Sequence, residues 1–217
     1  MKKYFSTLAL PILLALGATS CQSIYYGTME KVGVHKRDIM VDRVKDARDA
    51  QTDAKEEFKD ALEQFTEVMG HDGGALEKKY KKLSKAFEQS EQQANEVHHR
   101  IAKVESVANA LFKEWRAEIK QYSSKDLRRT SQGQYEQTQE KYEALIRTMK
   151  QAASKMTPVL DAFRDQVLFL KHNLNARAIA SIQNEARKVE QDVERLIREM
   201  EASIAEADAF IKDLGVS

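Results

Sequence analysis

At 217 residues, with 42% hydrophobic and 32% charged side chains, the chain is too apolar for wholesale disorder and long enough for one or two domains. Only 8 Gly and 2 Pro occur, beside abundant Ala, Glu, Lys, Gln and Arg, which argues against a sheet-rich fold and for an all-α one built from long helices. A net charge of +1 gives no overall attraction to nucleic acid, which is not expected as a partner.

The chain opens with Lys2 and Lys3, then an apolar run from Leu8 to Leu16. Spanning a hydrocarbon core of ~30 Å takes roughly 20 apolar residues, so the run is too short for a membrane anchor and reads as an export signal over residues 1–20. Its removal takes the net charge from +1 to −1. Cys21 is the only cysteine, so no intramolecular disulfide forms, and an unpaired exported thiol needs a role. Ala18-Thr19-Ser20-Cys21 resembles the lipobox of bacterial lipoproteins. The resemblance implies a diacylglyceryl anchor of the palmitate class on Cys21, the first mature residue. Gln22 behind it resembles the signal for the inner leaflet of the outer membrane, facing the periplasm. Residues 21–39 are then a lipidated, membrane-proximal segment.

From Met40 an apolar stripe runs through Val44, Ala47, Gln51, Ala54, Phe58, Leu62, Phe65 and Met69, in steps of three and four that keep one helical face apolar. It predicts a helix over 40–69, ended by Gly70-His71-Asp72-Gly73-Gly74. A second stripe, from Leu76 and Tyr80 to Trp115, Ile119 and Tyr122, predicts a helix over 75–122 with the period of a coiled-coil seam. Residues 123–133 carry no stripe and read as the main loop. A third helix is expected over 134–172, with Tyr142, Leu145, Met149, Ala152, Met156, Phe163, Val167 and Leu170 inward. Thr157-Pro158 within it predicts a kink or a fresh start capped by Thr157. Asn175 is the expected cap of the last helix, 176–214.

Folding the first two helices about residues 70–74 sets Phe58 against Phe87 and Ala47 against Val97, and opposes the acidic stretch 55–67 to the basic stretch 77–85. Folding the last two about residue 174 sets Phe163 near Ala186 and Met149 near Met200. Two hairpins of similar length make an elongated four-helix bundle, with two separate coiled-coil hairpins as the alternative.

Val167-Leu168-Phe169-Leu170 is apolar around more than one face. Burial at the distal end is the expected outcome, and a docking patch at Leu168 and Phe169 the alternative. At the other end Tyr25, Tyr26, Trp115 and Tyr122 fall together as membrane-proximal aromatics that either rest at a lipid interface or cap the bundle. His98-His99 point about 100° apart on a helix, and His35, His71 and His172 stand alone, so no metal site is expected. The sequence has neither a GxxxxGK[ST] loop nor a GxSxG elbow, and no carboxylate pair stands out. No catalytic residue, cofactor or small-molecule substrate is therefore expected.

Tyr25-Tyr26-Gly27, the stretch His35 to Val44, Pro158 to Phe163 and Leu168 to Asn175 resemble a family of helical proteins, domain of unknown function 2959. The resemblance implies an envelope lipoprotein and brings no catalytic residues. The expected role is a lipid-anchored, non-enzymatic scaffold or adaptor with a protein partner. A lipid-binding or membrane-remodelling helical module is the alternative, and a hydrolase the third option.

Overall fold

The computed structural model describes residues 35–70 and 76–215. The expected signal segment, Cys21, Tyr25, Tyr26 and residues 71–75 lie outside them. The described residues form α1 (Lys36–Met69), α2 (Leu76–Ile119), α3 (Lys125–His172), the short α4 (Ala176–Ser181) and α5 (Gln183–Gly215). α1 starts four residues before the expected position. The carbonyl of His35 accepts from the N–H groups of Asp38 and Ile39, at 3.0 and 3.2 Å, and opens the helix without a side-chain cap.

Each stripe dictates a neighbour, and the neighbours close into a ring. α1 lies between α2 and α5, and α3 lies between the same two from the other side. Every adjacent pair is antiparallel. Arg100 meets Asp46 at 3.2 Å between α1 and α2, and Lys150 meets Glu105 at 2.8 Å between α2 and α3. Lys141 meets Asp213 at 2.7 Å between α3 and α5, and Arg48 meets Asp208 at 2.8 Å between α5 and α1. The arrangement is one four-helix bundle. Inside it Phe58, Phe65, Leu83, Leu145, Met149, Met156, Phe163, Leu170, Leu196 and Met200 are inaccessible to solvent. Phe163 touches Phe65 edge-on across the diagonal, ring centres 5.1 Å apart, and Phe87 at 5.9 Å. Fully burying such a ring stabilises the fold by about 1.5–3 kcal/mol, which outweighs the ~0–1 kcal/mol of each exposed ion pair. Apolar burial holds the bundle, and the charges mark its register.

Midway along, the core turns polar and small-sided. Gln51, Ser90 and Ser203 are fully buried. Ser203 Oγ donates to Gln51 Oε1 at 3.0 Å, and Ser90 Oγ lies 3.0 Å from the carbonyl oxygens of both Glu57 and Ala86. Gln51 Nε2 finds no partner among the described residues. An unpaired amide in a dry core costs about 1–3 kcal/mol, so this layer favours one alignment of helices more than it adds stability.

Three expectations are corrected. The segment 123–133 is not a loop, because only Lys120 to Ser124 separate α2 from α3 and the helix begins at Lys125. Ser124 caps it, its hydroxyl accepting from the Leu127 N–H at 3.3 Å. α3 then runs through Thr157-Pro158 without the fresh start that Thr157 would have capped. Both residues are exposed, so the carbonyl that loses its donor faces water rather than the core. The third correction concerns the second hairpin. Asn175 is the cap foreseen, accepting from the Ala178 N–H at 3.0 Å, but it starts only the six-residue α4. The chain breaks again at Ile182 before α5 begins. This extra turn slides the register by about one helical turn: Lys141 reaches Asp213 where a simple fold-back would offer Asp208, and Lys155 reaches Glu199 where it would offer Glu194. The first hairpin keeps its expected register. Of the opposed charge blocks, however, Lys79 bridges to Glu67 at 3.9 Å while Lys81 pairs with Glu77 on its own helix.

Candidate functional site

The two ends of the bundle differ in build. At the end where α1 starts and α5 finishes, α2 and α3 continue past both as a two-helix hairpin. α3 extends sixteen residues beyond the Lys141–Asp213 pair, about 24 Å at 1.5 Å per residue. At the root of the hairpin α2 and α3 close on each other through aromatic rings. Phe112 meets Tyr135 at 5.6 Å and Tyr142 at 5.5 Å, Trp115 meets Tyr135 at 5.7 Å, and Trp115 Nε1 donates to Ser131 Oγ at 2.9 Å. Burial, then the charges of Glu105 and Glu143, push the Tyr142 phenol up to about 12.

Where the hairpin leaves the bundle, an open groove of about 840 Å³ lies between Lys36, Val41, Glu114, Trp115, Lys141 and Asp213. Its charges are internally matched. Lys36 pairs with Glu114 at 2.7 Å and Lys141 with Asp213 at 2.7 Å, and Arg37 donates to the Leu214 carbonyl at 2.7 Å. These contacts tie the start of α1 to the end of α5 and to the root of the hairpin. Matched pairs of this kind hold helices together and leave little field for a charged substrate.

At the hairpin tip, residues 120–130 are all exposed, with Tyr122 at 37% and Leu127 at 58%. Arg128 donates to the Tyr122 carbonyl at 2.6 Å and so closes the turn.

The opposite end is built from the end of α3, from α4 and from the start of α5. Ile179 and Ile182 are buried and belong to the core. Val167 and Leu170 are buried as expected, whereas Leu168 and Phe169 stand 54% and 38% exposed. Their expected burial is therefore overturned, because the last turn of α3 has a core face only two positions wide. The exposed pair fits the docking-patch alternative.

Of the four aromatics expected near a membrane, Trp115 is half-buried and hydrogen-bonded in the hairpin, and Tyr122 is exposed at its tip. Tyr25 and Tyr26 lie outside the described residues, as does Cys21. His98, His99, His35 and His172 are all exposed. Among the described residues no group of three or more His, Cys, Asp or Glu converges as a metal site would require. No described helix is long and apolar enough to cross a membrane. Ser131 and Tyr135 escaped the sequence reading, although Tyr135 stands seven residues before Tyr142 and continues its stripe.

A match to the family described as protein of unknown function (DUF2959) covers residues 25–214. The chain belongs to this family. The matched span takes in the whole bundle, both of its ends and the ten residues before His35, so hairpin and reversal both fall within the family's extent. A search of the curated proteins finds no match.

Proposed function

We propose that this member of the DUF2959 family is a lipid-anchored, non-enzymatic scaffold or adaptor of the bacterial envelope, held through Cys21 in the inner leaflet of the outer membrane and facing the periplasm. One observation carries the reading. The bundle places the exposed pair Leu168 and Phe169 at the end remote from His35, where the anchored segment would join. The 34 residues of α1 separate those ends by about 50 Å, so an anchored chain would present that pair well clear of its membrane. A large apolar side chain exposed on a rigid helix end is a common anchor for a protein partner.

The test is capture of partners from intact cells by crosslinking, with wild type, Phe169→Asp and a Tyr122→Asp control. Phe169→Asp should reduce capture several-fold while circular dichroism and melting stay unchanged, since the ring is not in the core. Equal capture by Phe169→Asp and wild type would refute the adaptor reading.

A further inference from the structure

We infer that the tip of the α2–α3 hairpin, residues 120–130, is a docking surface for an anionic lipid bilayer. The inference rests on the anchored reading for its context and on separate observations for its substance. Within these eleven residues Lys120, Lys125, Arg128 and Arg129 face a single carboxylate, Asp126. Among the described residues no ion pair engages any of the four, so their charge faces solvent. Arg128 closes the turn through the Tyr122 carbonyl and Lys120 follows the last turn of α2, where a cation is favoured, whereas Lys125 is the first residue of α3, where the helix dipole is already positive and disfavours it.

Between these charges stand Tyr122 and Leu127, two of the four large hydrophobic side chains exposed among the described residues. An aliphatic and a tyrosyl side chain set among unpaired lysines and arginines is the combination that an interface of acyl chains and phosphate headgroups accepts. The apolar groups enter the acyl boundary, and the cations meet the headgroups. Position agrees as well. The tip projects beyond the four-helix section at the end where His35 begins the described chain. From Cys21 to His35 the chain can span at most about 50 Å, which places the tip within reach of the leaflet that would hold the anchor.

The test uses the full chain with Cys21→Ser and one new cysteine, Leu127→Cys or Leu168→Cys, carrying a polarity-sensitive fluorophore. Each is mixed with vesicles of phosphatidylcholine alone or with added phosphatidylglycerol. The residue 127 probe should shift to the blue on anionic vesicles and not on neutral ones, and the residue 168 probe on neither. Adding Lys125→Gln and Arg129→Gln should lower the apparent affinity about twenty-five-fold, at about fivefold for each cation lost near the surface, with helicity unchanged. A residue 127 probe that stays in water on anionic vesicles, responds equally on neutral ones, or is outdone by the residue 168 probe would overturn the inference. Acylation of Cys21, read by mass spectrometry on protein from cells, is a separate measurement. An unacylated mature chain with a responsive tip would refute the anchor alone, and an acylated chain with an unresponsive tip would refute the docking surface alone.

Discussion

Two aromatic clusters stabilise the two ends of this molecule, and they are made of different rings. Phe65, Phe87 and Phe163 sit where four helices surround them, and Phe65 and Phe163 are wholly inaccessible. Phe112, Trp115, Tyr135 and Tyr142 join α2 to α3 at the root of the hairpin, and Trp115 and Tyr142 are half-exposed. In the second cluster Phe112 is as buried as Phe87, at 6% for both, while the half-exposed rings are those that carry a polar atom, and the Trp115 N–H is satisfied by Ser131. The degree of enclosure thus matches the ring: plain phenyl where water is shut out, the Trp115 indole and the Tyr142 phenol where it is not.

The largest expected effect tests that contrast directly. Phe163→Ala should cost about 3–5 kcal/mol in denaturant unfolding, because a diagonal contact is lost and the ring of four helices relaxes only in part. Tyr135→Ala should cost less globally, yet hasten amide exchange in residues 115–135 well before the four-helix section opens. If both substitutions lower global stability equally, and exchange rises uniformly, the hairpin is no separate unit and the comparison fails.

A smaller effect, of opposite sign, is expected at the polar layer. Replacing both partners by apolar groups of similar size, Gln51→Met with Ser203→Ala, removes a buried amide whose Nε2 is unpaired and should raise stability by about 1 kcal/mol. Gln51→Ala alone should instead destabilise by leaving a cavity. A double variant that melts lower than wild type would show that the amide's hydrogen bond outweighs its burial cost.

The smallest effect is confined to alkali. The Tyr142 phenol titrates at about 12 in the folded chain, against about 10 when unfolded. The folded state therefore holds its proton longer. The stability this gives is present in full below pH 10 and is lost as pH rises from about 10 through 12. Phenolate absorbance should show one tyrosine titrating late, and Tyr142→Phe should remove that component and flatten the alkaline loss. Late titration that persists in Tyr142→Phe would assign it to another tyrosine.

Much of this was legible in the spacing of apolar residues. Val44 through Phe65 and Leu83 through Val104 announced a hairpin whose register the Arg100–Asp46 pair bears out, because the intervening turn is short and both stripes run straight to it. The α3–α5 register was not legible. The residues of α4 carry the same stripe as α5, so a six-residue turn of helix looks like the beginning of a long one. The start of α3 was hidden for the opposite reason. At the protruding tip every side of the helix meets water, so residues 125–130 carry no stripe, and only Ser124 and Asp126 mark a helix start there. Pro158 starts no new helix, because a proline on a solvent face costs a hydrogen bond without ending the helix that holds it. The exposed pair Leu168 and Phe169 could be seen as excess apolar surface, but a run of four apolar residues does not say which two face the core.

Arg37 reaching the Leu214 carbonyl, with Arg48 on Asp208 and Gln51 on Ser203, makes the first helix of the bundle the partner of the last. During synthesis α1 emerges first and can pair at once with α2, but its other flank waits for α5, whose arrival also completes the uncovered flank of α3. One helix therefore closes two seams in a single late event. A chain arrested before Gln183 would hold three long helices with two open apolar grooves, the kind of surface that chaperones hold and proteases survey. Nascent chains stalled on either side of that point should differ sharply in protease resistance, with protection appearing only as α5 emerges.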